Sequence, residues 1–455
     1  MIFKYRLSQQ VMRSLPAAAD DARIVVHRNY RPAREILCVL LCSLLLGLLT
    51  GCQPPPRQAI IDGSSMAPHL YGAHSELVCE DCGFRARFRL DLALENLLCP
   101  NCGAANPATR LNKQPSLQVA VEHLAGQPQR WEIVAFYSPT TSQESPRLAV
   151  KRIVGLPGEE LKIAEGDLWR DGQRLAKSWD EQRELAILLR DFDFLPRSDN
   201  GERRSPWSTA NTWAAWKLLA DGVELNSEGA VPSPMRLEYQ HWAGYQSAQP
   251  RFAPIPVLDA QSFDPREARS LAPVYDLLLS GEVMTPQASF RIGFEQFEQS
   301  ISCEFSPATG KLIVREGAAE RQEEFTYIPP ATAYRFGVST FDRQLTVAIN
   351  NRPVLQWPIT SPPQQDRQRL GSPLYLESAE GPVRLRHLQL FRDVQYLGRA
   401  GGEQSPAVEQ TYRLGSNEFL LLGDNPQDSI DSRDWAQAGL PKSRLLGRIR
   451  RLSPE

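Results

Sequence analysis

Net charge is what this chain most clearly lacks: 51 Lys and Arg stand against 53 Asp and Glu, for a formal −2 at pH 7. That balance gives no electrostatic footing for a nucleic-acid partner. Cysteine is sparse, eight in 455 residues, and its spacing is not that of a disulfide scaffold. Long apolar runs are missing too. The leucine-rich, uncharged run at 36–50 is shorter than the roughly 17–25 residues that a spanning helix needs. What remains is ordinary globular composition, 42% hydrophobic and 23% charged, at a length that suggests two or three domains. The 36 prolines favour loops and strand edges over a helical bundle.

The apolar run reads as an element that meets a membrane. Residues 1–35 are polar and carry Arg23, Arg28, Arg31 and Arg34 close to it, and positive charge beside such a run normally stays in the cytoplasm. The run also fits the core of an export signal. Cys38 and Cys42 lie inside it. It ends in Leu49-Thr50-Gly51-Cys52, which resembles a bacterial lipobox. Cys52 is then either a lipidation site or the end of an uncleaved anchor over 36–52. Either reading puts the rest of the chain outside the cytoplasm and near the bilayer, behind the stiff spacer Pro54-Pro55-Pro56.

Three stretches carry the chemistry. Ile61-Asp62-Gly63-Ser64-Ser65-Met66-Ala67-Pro68 offers two hydroxyls just after the spacer. A serine hydroxyl is a poor nucleophile until a base takes its proton. Val150-Lys151-Arg152-Ile153-Val154-Gly155-Leu156-Pro157-Gly158 offers a lysine in an apolar strand. Burial disfavours an ammonium ion, so a lysine buried in such a strand could accept a proton, whereas one on a solvated strand face, the ordinary case, could not. Gly423-Asp424-Asn425-Pro426-Gln427-Asp428-Ser429-Ile430-Asp431-Ser432-Arg433 is a dense polar cluster between the strand-like runs 418–422 and 445–449. Read alone, it could be a solvated turn.

In this order the three stretches resemble type I signal peptidases, the Ser–Lys leader peptidases. The resemblance covers about 61–177 and 412 to the C-terminus. It implies that Ser65 is the nucleophile, with Ser64 as its rival, and that Lys151 is the general base. It also implies that Ser429 orients the lysine and that Asp431 and Arg433 form a structural ion pair beside Asp424. Met66 is implied to pack beneath a membrane-proximal surface. Gly63 stands where many relatives carry a serine that helps to bind the oxyanion, so that side-chain donor is absent and the second donor is unassigned. Pro426 stands where arginine is usual.

Cys79-Glu-Asp-Cys82 and Cys99-Pro-Asn-Cys102 are sixteen residues apart, with Gly83 and Gly103 following them. This is zinc-ribbon spacing, over about 76–104, and a closed four-cysteine site holds structural zinc and takes no part in catalysis. Disulfides are the alternative in an oxidising location. Phe84, Phe88 and Leu90 are expected to cover the site. The isolated Cys303 reads as a small buried hydrophobe.

Residues 180–407 interrupt the peptidase-like segments 53–179 and 408–455. A short helix is expected at 180–189. Strands are expected at 275–283, 289–294, 311–315, 334–340, 345–349 and 383–391, with a turn at Asn350-Asn351. The run from Leu345 to Asp393 resembles laminin-G and concanavalin-A-like jelly rolls, folds that often bind glycans or proteins. Trp207, Trp213, Trp216 and Trp242 could line a sugar site, although tryptophans of sandwiches are more often core. The Gly-, Ser- and Pro-rich stretch 398–406 reads as the linker of an independently folded insert.

The expected fold is mainly β: a signal-peptidase-type all-β core, an inserted zinc ribbon, an inserted β-sandwich and an N-terminal membrane segment. The expected function is a bacterial membrane-attached serine endopeptidase that removes signal peptides from precursor proteins on the extracytoplasmic side. It would need no catalytic cofactor and would contact membrane lipid and no nucleic acid. The other reading is an inactive envelope lipoprotein whose jelly roll binds glycan or protein.

Overall fold

The computed structural model describes residues 23–26, 56–139, 147–197, 204–208, 216–219, 221–225, 235–242, 252–260, 262–265, 271–318, 321–380, 382–397 and 410–452. The apolar run 36–50, Cys38, Cys42, Cys52, Trp213 and the 398–406 stretch lie outside them. Among the described residues no helix is long and apolar enough to cross a membrane.

The chain is mainly β. One sheet is ordered Arg23–Val26, Arg57–Asp62, Gln118–Glu122, Leu445–Arg451, Ile133–Tyr137, Leu148–Gly155, Glu418–Leu422, Leu440–Pro441. A pairing of Arg23 with Ala149 closes its first six strands into a barrel. Leu148–Gly155 lies in the middle and is buried at every position after the first. Val150 packs with Ile61 and Met66, Ile153 with Phe136 and Phe419, and Val154 with Leu161 and Leu420. With apolar side chains on both faces of that strand, Lys151 is fully buried. Arg23–Val26, within the segment expected to be cytoplasmic, forms a barrel strand paired from Arg23↔Asp62 to Val26↔Ala59.

A four-stranded sheet joins the two peptidase-like segments. Glu160–Ala164 pairs with Asp167–Arg170 on one side and with Gln410–Arg413 on the other, so the chain leaves and re-enters the core side by side. Asp171 and Gly172 turn the adjacent hairpin at φ 52° and 77°, as a type I′ turn requires. Ser178 and Glu181 then form a capping box on the helix Trp179–Leu185. This helix is shorter than expected. The next apolar residues pair instead as the strand Ile187–Asp191 with Val383–Arg392, so tertiary pairing overrides helical spacing.

The insert is a β-sandwich of an eight-stranded and a seven-stranded sheet. Their inner faces share one core, in which Phe290 and Phe305 stack at 4.6 Å and Phe336 meets both edge-on. Trp207, Trp216 and Trp242 are buried, and Cys303 is fully buried. These tryptophans are therefore core and cannot line an open sugar site.

Candidate active site

Ser64 and Ser65 follow the strand Arg57–Asp62, which breaks at Gly63 with φ 85°, a conformation that suits glycine. Gly63 packs against Gly72, where an added Cβ would lie 2.7 Å from the Gly63 nitrogen. Met66, at 0% exposure, seats the turn in the apolar core with Ala59, Ile61 and Leu70. The turn brings Ser65 Oγ to 2.6 Å from Lys151 Nζ, and both residues are fully buried.

The cluster after Glu418–Leu422 closes over this pair. Gly423 leaves no room for a side chain: an added Cβ would lie 2.2 Å from Ser429 Oγ and 2.6 Å from the Ser65 carbonyl oxygen. Ser429 Oγ donates to Asp431 Oδ2 at 2.8 Å. Asp431 also takes two 2.8 Å bonds from Arg433 and one from the Gly423 N–H at 3.0 Å. Burial would raise the Asp431 carboxyl, but the charge and hydrogen bonds of Arg433 hold it below the usual range. Arg433 reaches the Pro426 carbonyl at 2.8 Å and so ties the departing loop position down.

Several functional neighbours were not singled out from the sequence. Arg152, beside Lys151 and fully buried, grips both oxygens of Asp424 at 2.8 and 2.7 Å and donates to Glu184 at 2.7 Å. His69 Nδ1 lies 3.0 Å from the same aspartate. Burial opposes ionisation of Asp424, yet Arg152 and then His69 hold its carboxyl well below the carboxylate range. Asn425 donates its backbone N–H to the Ser65 carbonyl at 3.0 Å. Ser64 Oγ donates to Asp428, which Arg89 also approaches at 3.4 Å. Asp428 could have been sought in a cluster so rich in charge; nothing in the sequence around Arg89 points to the site.

Arg89 ends a strand of the ribbon, Arg85–Arg89. There the Sγ atoms of Cys79 and Cys102 are 3.7 Å apart, and those of Cys82 and Cys99 3.8 Å. A disulfide needs about 2.05 Å. Sulfurs about 2.3 Å from one tetrahedral zinc would be about 3.8 Å apart. The four cysteines are unbridged, and one ligand atom from each lies within 4.8 Å of the others. Gly83 and Gly103 donate back to the Cys79 and Cys99 carbonyls at 2.9 and 2.8 Å, and Phe84 N–H points at Cys82 Sγ. The residues fit a single tetrahedral ion. Phe84 covers it; Phe88 sits instead in the ribbon's own core with Leu77 and Leu97, and Leu90 is exposed.

Residues 39–211 match the family model described as signal peptidase, peptidase S26. That stretch contains Ser65, Lys151 and the four cysteines, and it supports signal peptidase function in general. No curated protein matches the chain. Among solved structures, similarity is found to a carbohydrate-binding module CBM66 from Bacillus subtilis at 8% identity, covering 41% of this chain and 96% of that one, with a TM-score of 0.26. A protein of unknown function with a galectin-like fold, also from Bacillus subtilis, matches at 10% identity over 44% and 94%, with a TM-score of 0.28. Sheep galectin-11 in complex with glycerol matches at 10% over 30% and 98%, with a TM-score of 0.21.

Proposed function

We propose that this chain is a membrane-attached Ser–Lys endopeptidase that removes signal peptides from exported precursor proteins. Ser65 Oγ attacks the scissile carbonyl while Lys151 Nζ takes its proton and passes it to the leaving amine. Water then releases the acyl group from Ser65. The Ser65 N–H stabilises the oxyanion, and Gly63 adds no side-chain donor. Ser429, fixed by Asp431 and Arg433, positions the lysine. The observation that carries this reading is the 2.6 Å separation of Ser65 Oγ and Lys151 Nζ in a fully buried site, inside the stretch that matches the family model.

Cys79, Cys82, Cys99 and Cys102 hold a structural zinc ion in this reading, and the apolar run 36–50 attaches the barrel to a bacterial membrane on its extracytoplasmic side. Cys52 is the lipidation candidate. The sandwich would serve as a docking module for a protein or a glycan.

The test is cleavage of a precursor carrying small residues at positions −1 and −3. Ser65→Ala and Lys151→Ala should each lower the rate by about a thousand-fold or more while circular dichroism stays unchanged. Near-normal cleavage by either folded variant would sink the assignment. Ser429→Ala should leave partial activity. Ser64→Ala should be mild, and a loss equal to that of Ser65→Ala would transfer the nucleophile to Ser64.

A further inference from the structure

Where the four-stranded sheet meets the sandwich, four aspartates converge away from Ser65 and Lys151. Asp167 opens the strand Asp167–Arg170. Asp276 immediately precedes Leu277–Val283, and Asp393 immediately follows Val383–Arg392. Asp342 sits in the turn Phe341–Arg343 with φ 54°. All four are at least nine-tenths buried.

Two cations answer them at close range. Lys177 Nζ donates to Asp342 and Asp393, each at 2.6 Å, and lies 5.4 Å from the centre of the Trp131 ring. Arg174 Nε lies 2.9 Å from Asp167 Oδ2. Arg343 gives its guanidinium to the Ser361 carbonyl and reaches Asp276 only as a longer-range attraction. Four carboxylates against two paired cations leave an excess of two negative charges in a buried space.

Asp276 is where the mismatch falls. It is 5% exposed, and its carboxylate accepts no hydrogen bond from a described residue. One of its oxygens nevertheless lies within 4.8 Å of an oxygen of Asp167 and of Asp393. Burial, followed by the charges of neighbouring aspartates, pushes the carboxyls of Asp167 and Asp276 upward. An unpaired buried carboxylate is costly unless a cation or a proton meets it.

We propose that Asp167, Asp276 and Asp393 bind one hard divalent cation, of the Ca²⁺ or Mg²⁺ class, at the junction of barrel and sandwich. Carboxylate oxygens are the donors such ions take, and ligands about 2.3–2.6 Å from a Ca²⁺ ion stand within this span of one another. A divalent charge cancels the excess of two. Asp167 comes from the peptidase-like segment, and Asp276 and Asp393 come from the insert. The ion would therefore clamp the two together, beside the Lys177 bridge that already joins them.

The test uses full-length protein dialysed into metal-free buffer with its zinc content verified. Tb³⁺ luminescence excited through tryptophan should saturate at one ion per chain, since Trp131 stands beside Lys177, and Ca²⁺ should displace it. The melting temperature should rise with millimolar CaCl₂ or MgCl₂. In Asp276→Asn the luminescence and the melting shift should both vanish, while melting in metal-free buffer should equal or exceed that of wild type. Asp276→Ala serves as the second variant if the asparagine protein does not fold. Absence of saturable binding to wild type overturns the proposal, and so does undiminished binding to either variant. An Asp276→Asn protein much less stable than wild type in metal-free buffer would overturn the charge excess on which the proposal stands.

Discussion

Arg152 is fully buried, so its donors turn to protein acceptors. It finds Asp424, Glu184 and the Trp131 carbonyl, the last at 2.6 Å. Asp424→Asn should therefore cost about 3–5 kcal/mol in denaturant unfolding, because it removes the buried partner that grips the guanidinium with both oxygens and leaves only the half-exposed Glu184 as counter-charge. The Asp424 carboxyl is held below its unfolded value, so the stability it adds is present above about pH 4 and is lost as pH falls through its folded value. The variant's unfolding free energy should accordingly change less between pH 5 and pH 2 than that of wild type. His241, in the sandwich, has the opposite chemistry and the same sign. Burial, then Arg190, lowers its imidazole to about 3. The unfolded chain takes up that proton near about pH 6.5 while the folded chain refuses it, so stability declines by about 1.4 kcal/mol per pH unit from there down towards 3. His241→Gln should flatten that decline in unfolding titrations. Ser65, Lys151 and Ser429 could be singled out as candidates in the sequence because each sits in a distinctive local run. The acceptors of Arg152 were not, since Glu184 is 32 residues away and Asp424 272 residues away along the chain.

Among the elements, the ribbon has the least expected role. A four-cysteine module could have been a detached appendage. Instead, Arg89 at the end of one of its strands donates to Asp264 of the insert at 2.8 Å and approaches Asp428, the acceptor of Ser64. Asn101, between the last two cysteines, receives the Asp191 N–H at 2.7 Å and donates to the Phe194 carbonyl at 2.8 Å. With zinc on the four cysteines as proposed, chelation should thus lower precursor cleavage as well as unfold the ribbon, and readdition of zinc should restore both. Arg89→Ala should lower kcat with little change in KM and leave zinc content intact. An unchanged kcat would confine the ribbon to a structural role. Strand positions in the sandwich were readable because alternation survives there: 289–294 was expected and Ser289–Phe294 is found. The 187–191 stretch was not readable, since its apolar run satisfies helical spacing until a partner strand claims it.

At the scale of the whole molecule, the insert is not the projecting unit that its linker composition suggests. Its ends do converge, because Glu160–Ala164 pairs with Gln410–Arg413 across it. Yet Glu184 grips Arg152, Trp179 fills the space above Gly337, and Lys177 is held by Asp342 and Asp393. Replacing 180–407 by a short Gly-Ser loop would strand Arg152 without Glu184 and Lys177 without either aspartate. We expect that truncated protein to melt far below the intact chain and to lose cleavage, as measured by calorimetry and the precursor assay. Composition suggested where the insert begins and ends; it could not reveal the charges that cross that border. The strand Arg23–Val26 has a further consequence for the life history of the chain. A lipoprotein-type cut before Cys52 would sever this strand from the polypeptide that it helps to close, and leave the N–H and C=O groups of Arg57–Asp62 facing an open seam between them and Leu148–Gly155. Maturation at Cys52 and an intact six-stranded barrel are thus alternatives unless the released peptide stays in place as a non-covalent stave, and the mass of the purified protein tells which of the two the cell has made.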